Sequence, residues 1–404
     1  MTEYRVYKYR WAVLAIYMYV CALTQLYWLN FAAIETYIEE RLGMQAAGVM
    51  WFTLVFPLVQ VILTLPAGIL IDRKGFKFGV GVGVLFIGLF AMIRLIDPLS
   101  FAVLLISQIG IAVGQPFILN GVAKLAVTWF SRKEEATAVG LGSMSIFIGM
   151  IVGLGLTPFI VERYSYEAML TVYGIMGLIG IPLFFLLVKH APATPSRELD
   201  ISVREAGWRS IGQILKIRDF VILGFIALIG IGVFNGLATW LEKILNEMHN
   251  MTMTDAGTTS AVVIFSGMLG CIIIPVLSDR FGKRKPFLLL ASGIGAITIT
   301  ILIFIRGYTA NMANGIVLGL FLISALPIML TMATEITGPE FAGISVAYLQ
   351  FLGNVAAVVI VPLMEGLRGA SGSFVQPLVL LISLLLIAFI LSLFIKDPKL
   401  SSSG

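Results

Sequence analysis

Twelve apolar segments of similar length follow one another through the sequence, separated by short polar connections. Each is close to the roughly 20 residues that a helix needs to cross the hydrocarbon core of a bilayer. Charged residues make up only 12% of the chain, about half of what a soluble domain of this size carries. A spanning backbone must satisfy its own hydrogen bonds, so the pattern predicts an all-α integral membrane protein. The predicted spans are 11–34, 49–71, 78–96, 101–130, 136–160, 168–189, 219–242, 257–278, 286–306, 311–335, 342–366 and 374–396.

The sequence Asp-Arg-x-Gly occurs twice, beginning at Asp72 and at Asp279, 207 positions apart, each time after a long apolar run. Its glycine permits positive φ in a tight turn, and its carboxylate can accept hydrogen bonds from helix-end N–H groups. The basic residues that follow can stay among the cytoplasmic headgroups. Two copies about half a chain apart are typical of a duplicated transporter. We therefore expect two pseudo-symmetric six-helix bundles, residues 1–189 and 219–404.

Residues 190–218 form the one long connection between predicted spans, and they are rich in charge. Four apolar residues in this segment are spaced so that they share one helical face; they are Val203, Trp208, Ile211 and Leu215. This spacing predicts a helix that lies at the cytoplasmic interface of the membrane. The alternative is a solvated linker that only supplies reach.

The basic residues indicate the orientation of the chain. Most of the 27 lysines and arginines fall in connections on the same side as the amino terminus, whereas Arg94 is one of the few on the other side. Because cytoplasmic loops carry an excess of lysine and arginine, both termini are predicted to be cytoplasmic. We expect a multi-pass protein of the plasma or inner membrane.

Motifs of catalysis and cofactor binding are not visible in the sequence. Glycines are frequent inside the spans, but without a strand–turn–helix context they predict close helix contacts rather than a nucleotide site. His-Glu-x-x-His, a phosphate loop and a nucleophile–base pair are also missing. We therefore expect no enzyme, cofactor or metal site. The expected partners are a small-molecule solute and the lipid bilayer, not nucleic acid, and the chain is expected to act as a monomer.

The duplicated turns and twelve spans resemble the major facilitator superfamily over the whole chain. Three shorter stretches resemble the feline leukaemia virus subgroup C receptor (FLVCR) family; they are Gln25 to Phe31, Gln115 to Glu134, and Ala333 to Glu340 followed by Gln350. That family is associated with choline and ethanolamine uptake, and earlier with haem export. The resemblance matches the family's first-span tryptophan to Trp28 and its eleventh-span glutamine to Gln350. Where the family has a seventh-span tyrosine and a fifth-span glutamine, this chain has Asn235 and Phe147.

The superfamily resemblance implies a ligand site near mid-membrane between the two halves. Trp28 and Asn235, again 207 positions apart, are then expected to face each other. A tryptophan face can bind a desolvated cation, and Phe147 could add a second aromatic wall. Packing or an interfacial position is the alternative role of these aromatic residues. The candidate substrate-binding residues are Trp28, Gln115, Asn120, Phe147, Asn235 and Gln350.

Charged residues near the cytoplasmic ends of the fourth and tenth spans are candidates for an inner gate. Lys124 and Glu335 occupy nearly equivalent positions there. They are expected to pair with each other directly, or through the residues of the two turns. The alternative is that each charge pairs only within its own half and supports structure. The other candidate gating residues are Asp72, Arg73, Asp279 and Arg280.

The residues together predict a secondary transporter that moves a small polar organic solute by alternating access. A cationic or zwitterionic, choline-like amine is favoured, as the resemblance to the FLVCR family implies and as the aromatic face of Trp28 would allow. No acidic residue lies at the centre of a span, whereas a proton-coupled carrier usually needs one, so facilitated diffusion is favoured over proton coupling. Glu35 and Glu242 lie only near outer ends of spans. The first alternative is a proton-coupled organic-anion carrier, with Lys124 contacting the anion and Glu335 titrating. The second is a non-transporting receptor or sensor built on a transporter fold.

Overall fold

The structure is a computed structural model that describes residues 7–192, 194, 208–338 and 341–397. Regular secondary structure in these ranges is helical, and twelve helices or helix pairs are long and apolar enough to cross a membrane. The predicted all-α fold with twelve spans is therefore confirmed. The chain divides into two compact units, residues 1–203 and 204–404, and the boundary falls within the predicted linker.

Unit 1 contains six spans, and two of them are made of more than one helix. The fourth span is divided between α6 and α7, and the second is preceded by the short helix α3. Its helices are α1 (Arg10–Leu29), α2 (Glu35–Leu42), α3 (Ala46–Val49), α4 (Trp51–Lys74), α5 (Phe76–Ile93), α6 (Phe101–Leu119), α7 (Gly121–Trp129), α8 (Glu135–Arg163) and α9 (Tyr166–Leu187), with a 3-10 helix at Ala32–Ile34.

Unit 2 contains the other six spans, preceded by one short helix. The tenth span is divided between α14 and α15. Its helices are α10 (Trp208–Ile214), α11 (Arg218–His249), α12 (Met253–Phe281), α13 (Lys285–Phe304), α14 (Tyr308–Leu322), α15 (Ala325–Thr337), α16 (Ala342–Ser371) and α17 (Val375–Phe394).

The same helix pairs pack together in both units. In unit 1, α1 packs on α8, α4 on α6, and α5 on α9; in unit 2, α11 packs on α16, α12 on α14, and α13 on α17. Small residues allow these close approaches. A Cβ atom added to Gly149 of α8 would lie only 2.1 Å from the carbonyl oxygen of Ala22 in α1. The repeat predicted from the two Asp-Arg-x-Gly sequences is thus also a repeat in packing.

The second of the two turns differs from expectation in what its carboxylate binds. The expected positive φ is confirmed, because Gly75 has φ 86° and Gly282 has φ 62°. The N–H groups at the start of α13, however, donate to Asp397 rather than to the turn: its Oδ1 accepts from the backbone nitrogens of Arg284 (2.8 Å) and Lys285 (2.7 Å). Asp279 instead accepts from the Arg284 side chain at 2.5 Å. The residue that caps the helix is far away in sequence, so the turn motif alone could not indicate it.

The first span is shorter than predicted. The sequence placed its end at residue 34, but α1 ends at Leu29, and Asn30 and Phe31 form a turn before the 3-10 helix. The backbone of Ile34 (φ −136°, ψ 31°) then leaves the helical region before α2 begins. Hydropathy could not locate this end, because residues 31–34 remain apolar.

The predicted interfacial helix is found in part. Helix α10 begins at Trp208, whereas Val203 lies outside the described residues. Ile214 is fully buried and packs in a cluster with Phe220 and Leu223, while Leu215 is 40% exposed. Ile214, which the predicted face did not include, therefore packs on the rest of unit 2, and Leu215 lies just after the end of α10. A position at the membrane interface stays a prediction.

Candidate functional site

Trp28 lies in the last turn of α1 and is almost completely buried, with 7% of its surface exposed. Its indole Nε1–H is buried and has no hydrogen-bond partner among the residues that the structure describes. A buried donor without an acceptor costs free energy, about 1–3 kcal/mol. Trp28 therefore offers an aromatic face and an unused donor on one side chain.

Gln25 lies one turn before Trp28 on α1, and only 2% of its surface is exposed. Its Nε2 donates to the hydroxyl of neighbouring Thr24 at 3.0 Å. Residues three apart on a helix lie on adjacent turns of the same side. Gln25 is not among the substrate-binding residues that the sequence predicts. The signal that could have identified it was its spacing from Trp28 in an apolar span.

The register of α1 and α8 separates Phe147 from Trp28. Gly149 and Gly153 of α8 approach Ala22 and Leu26 of α1, so the two helices run in the same direction. Phe147 is then level with a position about eight residues before Trp28, a rise of about 12 Å. The two aromatic residues line different levels of unit 1, which only a solute longer than choline could contact simultaneously.

Gln115 lies on the level of Phe147 rather than that of Trp28. Helix α6 runs opposite to α1, because Gln108 donates to the Tyr27 carbonyl (3.1 Å) while Tyr17 donates to the Ile118 carbonyl (3.0 Å). Gln115 is buried and lies about 10 Å from the level of Tyr27. Unit 1 thus presents two layers of candidate residues.

Asn120 has a structural contact at the point where the fourth span breaks. It is half-buried between α6 and α7, and its Nδ2 donates to the Thr64 carbonyl of α4 at 2.8 Å. Its N–H still bonds to the carbonyl of Pro116, a residue that weakens the end of α6. The amide therefore ties this break to the second span, and a role in binding solute stays a prediction.

Asn235 and Gln350 of unit 2 do not lie at one level. Asn235 is buried in α11 and donates to the Ile231 carbonyl of its own helix at 2.8 Å, whereas Gln350 is exposed on α16. Gly224 of α11 approaches Leu352 of α16, and Gly232 approaches Ala356. Gln350 is therefore about 16 Å along the bundle from Asn235. One small amine cannot contact both.

Asn354 is a further candidate substrate-binding residue, and it is not among those predicted from the sequence. It is half-buried on α16, and its Nδ2 donates to the Gln350 carbonyl at 2.9 Å. It stands 207 positions after Phe147, as Asn235 does after Trp28. Both aromatic candidates of unit 1 therefore correspond to asparagines in unit 2. Only the repeat interval, applied to every candidate, could have identified it.

The candidate gating residues of unit 1 form a weak ion pair. Lys124 Nζ lies 3.7 Å from Asp72 Oδ1, and 36% and 78% of these side chains are exposed. Exposed pairs of this kind contribute little, about 0–1 kcal/mol. Arg73 is also exposed. The firmer pair nearby joins Arg10 to Glu134 at 2.7 Å, and this hydrogen bond lowers the pKa of Glu134.

Arg284 organises the candidate gating residues of unit 2, and the sequence did not single it out. Only 6% of it is exposed. Its Nε donates to both carboxylate oxygens of Glu335 at 3.2 Å, and a second nitrogen donates to Oε1 at 2.8 Å. Hydrogen bonds to Glu335, and then to Asp279, raise the pKa of the Arg284 guanidinium. Arg280, which was predicted to take part, is exposed.

The partners described for Lys124 and Glu335, which are Asp72 and Arg284, each belong to the same unit as the residue that they contact. These contacts are the ones that the structural alternative expected, and a role of either residue in gating stays a prediction. Glu35 and Glu242, at equivalent positions of the repeat, are both 2% exposed. They are thus buried carboxylates rather than residues of a solvated surface.

Comparison with known proteins identifies the family. The sequence profile of the Major Facilitator Superfamily matches residues 15–361. The chain belongs to this superfamily. A bacterial homologue of the human lysosomal transporter Spinster, solved in an inward-facing and unoccupied conformation, superposes with a TM-score of 0.78 at 16% identity, covering 99% of this chain and 100% of that one. This likeness supports the superfamily fold.

Several proteins described as transporters or solute carriers resemble this superfamily member over most of its length. It is 25% identical to the human choline/ethanolamine transporter FLVCR2, over 88% of this chain and 71% of that protein. It is 26% identical to solute carrier family 49 member A3 of Xenopus tropicalis, over 90% and 79% of the two chains. An uncharacterized MFS-type transporter of Caenorhabditis elegans, C09D4.1, is 25% identical over 98% and 70%. The resemblance to the FLVCR family is therefore confirmed.

Proposed function

We propose that this superfamily member is a secondary transporter for a small cationic or zwitterionic amine of the choline–ethanolamine class, working by alternating access. In this proposal both termini lie on the cytoplasmic side. The observation that carries it is Trp28, which is buried in a span and whose indole N–H has no hydrogen-bond partner within the described part of the chain. The similarity to a protein named as a choline/ethanolamine transporter supports the same class of solute.

The chemistry of Trp28 fits such an amine in two ways. The indole face attracts a quaternary ammonium, with about 2 kcal/mol or more when the cation is desolvated. The buried Nε1–H can donate to a hydroxyl oxygen, a group that choline and ethanolamine both carry. A solute that uses both properties removes the cost of the unpaired donor. A simple alkylammonium ion uses only the first.

The site residues proposed here carry no net charge, which favours movement of a cation down its electrochemical gradient. An inside-negative potential of 100 mV contributes about 2.3 kcal/mol per elementary charge. The organic-anion alternative needs Lys124 and Glu335 as solute or proton contacts. Both already contact a charge of opposite sign, Asp72 and Arg284, so that alternative requires these pairs to break first.

Uptake of labelled choline and ethanolamine into proteoliposomes tests the proposal. We expect uptake when a potassium diffusion potential makes the interior negative, and little stimulation by an acid-outside pH jump. Trp28→Ala is expected to abolish saturable uptake, and Trp28→Phe to weaken it because the donor is lost and the face is smaller. Trp51→Phe, at an exposed tryptophan of α4, is the matched control.

Each outcome of this experiment points to one function. Stimulation by the pH jump, with organic anions as solutes, would replace the amine proposal by the proton-coupled alternative. Specific binding that raises the melting temperature without any flux would indicate a receptor or sensor. Full uptake by Trp28→Ala would remove Trp28 from the site.

A further inference from the structure

Arg94, which directly follows α5, is completely buried, although the sequence assigned it to the outer side at the end of the third predicted span. Its Nε donates to the Ser107 hydroxyl at 3.3 Å, and another nitrogen donates to Gln108 Oε1 at 3.0 Å. Its guanidinium also lies over the rings of Tyr27 (5.1 Å) and Phe31 (5.4 Å). The two hydrogen-bond acceptors are neutral, and the two rings that the guanidinium contacts are aromatic. Burying a cation in such surroundings is costly, and burial lowers the pKa of this guanidinium.

Arg94 fixes the orientation of the Gln108 side-chain amide. A guanidinium has only donors, so it must face the oxygen of that amide. The Nε2 of Gln108 is then directed away from Arg94 and donates to two backbone carbonyls, Tyr27 at 3.1 Å and Phe52 at 2.9 Å. A free glutamine could turn its amide around. Arg94 thus selects the arrangement in which Gln108 holds α1 and α4.

Tyr27 extends this network to the remaining spans of unit 1. Its hydroxyl donates to the Tyr173 carbonyl of α9 at 2.6 Å, and the Tyr173 hydroxyl lies 2.8 Å from the Thr157 hydroxyl of α8. Arg94 follows α5, Gln108 lies in α6, and Phe52 lies in α4. All six spans of unit 1 therefore meet in one chain of contacts centred on Tyr27.

The network acts where α1 ends. The N–H of Asn30 makes a helical hydrogen bond to the Leu26 carbonyl at 2.8 Å, and the chain then turns. The next carbonyl along, that of Tyr27, accepts from Gln108 instead. Helix-end carbonyls need such partners when they are buried. Trp28 lies between Tyr27, whose ring Arg94 covers, and Leu29, the last residue of α1.

We propose that Arg94 is a positioning residue: acting through Gln108 and Tyr27, it holds the last turn of α1 and so sets the direction of the Trp28 indole. Its consequence for transport rests on the proposed function, whereas its effect on the Trp28 ring does not. Lysine cannot replace it, because a point charge lacks the planar fork and the flat faces that contact two acceptors and two rings at once.

The environment of the Trp28 ring can be measured directly. In protein labelled with 5-fluorotryptophan, the 19F resonance that disappears in Trp28→Phe belongs to Trp28. We expect Arg94→Lys to shift or broaden this resonance while the other five tryptophan signals stay in place. The matched control is Arg41→Lys, because Arg41 is an exposed arginine of unit 1 that pairs with Glu167 at 3.1 Å. An unchanged Trp28 resonance in Arg94→Lys would overturn the proposal.

Gln108→Glu separates positioning from simple burial of a charge. The carboxylate keeps a strong contact with Arg94 but cannot donate to the Tyr27 and Phe52 carbonyls. If the donation from Gln108 positions α1, this variant shifts the Trp28 resonance although the charge of Arg94 is better compensated. If Arg94 only needs an acceptor, the resonance keeps its position and the proposal fails. If Arg94→Lys does not fold, Gln108→Glu serves as the test of the Trp28 resonance in its place.

Choline binding then distinguishes failure of this proposal from failure of the proposed function. We expect Gln108→Glu to weaken choline binding about fivefold, because a displaced ring loses part of its contact with the ammonium. A shifted Trp28 resonance with unchanged choline affinity would support positioning and exclude Trp28 from the binding site. An unshifted resonance with weakened binding would retain a site near Trp28 and refute positioning by Arg94.

Discussion

Arg284 and Glu335 form a bidentate ion pair in unit 2, in which two guanidinium nitrogens donate to the carboxylate at 2.8–3.2 Å. The arginine side chain is 7% exposed and the glutamate 20%. The pair joins the residue that precedes α13 to the last turn of α15, and α14 lies between these two helices in the chain. Bidentate geometry and low exposure make this pair stronger than the Lys124–Asp72 pair of unit 1.

Removing either partner of the pair should destabilise unit 2. We expect Glu335→Gln and Arg284→Gln each to lower the free energy of unfolding by about 2 kcal/mol, because the remaining charge loses its bidentate partner at a position that is buried for Arg284 and half-buried for Glu335. The double variant should lose clearly less than the sum, with a coupling of about 1 kcal/mol. Unfolding in mixed micelles with increasing SDS measures these values. Arg280→Gln, at an exposed arginine, is the control, and additive losses would contradict a direct pair.

The close contact of α1 with α8 predicts opposite effects for two glycines on one helix. Gly149→Ala places a methyl group 2.1 Å from the Ala22 carbonyl, whereas Gly140→Ala meets nothing within 4 Å. We expect the first to lower the free energy of unfolding by about 1–3 kcal/mol, because the helices must move apart. The second should be neutral or slightly stabilising, because alanine favours helix. Melting temperatures in detergent compare them, and equal values would mean that α1 and α8 pack less closely than described.

The Arg10–Glu134 pair predicts a small loss of stability in acid. The hydrogen bond from Arg10 holds the pKa of Glu134 below its ordinary value. A lowered folded-state pKa contributes stability that is complete above the unfolded value of about 4.3 and is lost as the pH falls through the folded value. Since 32% of the Glu134 side chain is exposed, we expect about 0.5 kcal/mol.

Melting temperatures at pH 7 and at low pH measure this contribution. Glu134→Gln should be less stable than the unmodified chain at pH 7, and the two should converge as the pH falls through the lowered pKa. Glu40→Gln, at an exposed carboxylate of α2, should show no such convergence. A constant difference between Glu134→Gln and the unmodified chain at all pH values would mean that the ionised pair does not contribute.

The fold could be predicted from the sequence because its signals are local. Span length and the positive φ of Gly75 and Gly282 each depend on a few neighbouring residues, and the repeat of Asp72 at Asp279 consists of two such local motifs. The burial of Arg94 depends on Ser107 and Gln108 in the following span. A single basic residue at a span end is ordinarily assigned to the surface. The available signal was the pair of polar residues inside an otherwise apolar α6.

The candidate site was harder to predict because levels along a bundle depend on helix register. Gln350 and Asn235 were combined by family resemblance, but the contacts of Gly224 and Gly232 with α16 place them about 16 Å apart. Sequence spacing within one helix does not reveal how two helices are aligned. Arg284 is likewise one of three consecutive basic residues, and its burial and its contacts with Asp279 and Glu335 distinguish it from Lys283 and Lys285.

The partner of Lys124 can be identified by charge exchange. Lys124→Glu is expected to reduce uptake, because two carboxylates then face each other near the turn of unit 1. If Asp72 is the partner, as the 3.7 Å contact indicates, Asp72→Lys in the same protein restores uptake and Glu335→Lys does not. Restoration by Glu335→Lys alone would establish the direct pairing between halves that the sequence also allowed. Because the Lys124–Asp72 pair is exposed, we expect recovery of uptake to be about twofold to fivefold, and smaller at high ionic strength.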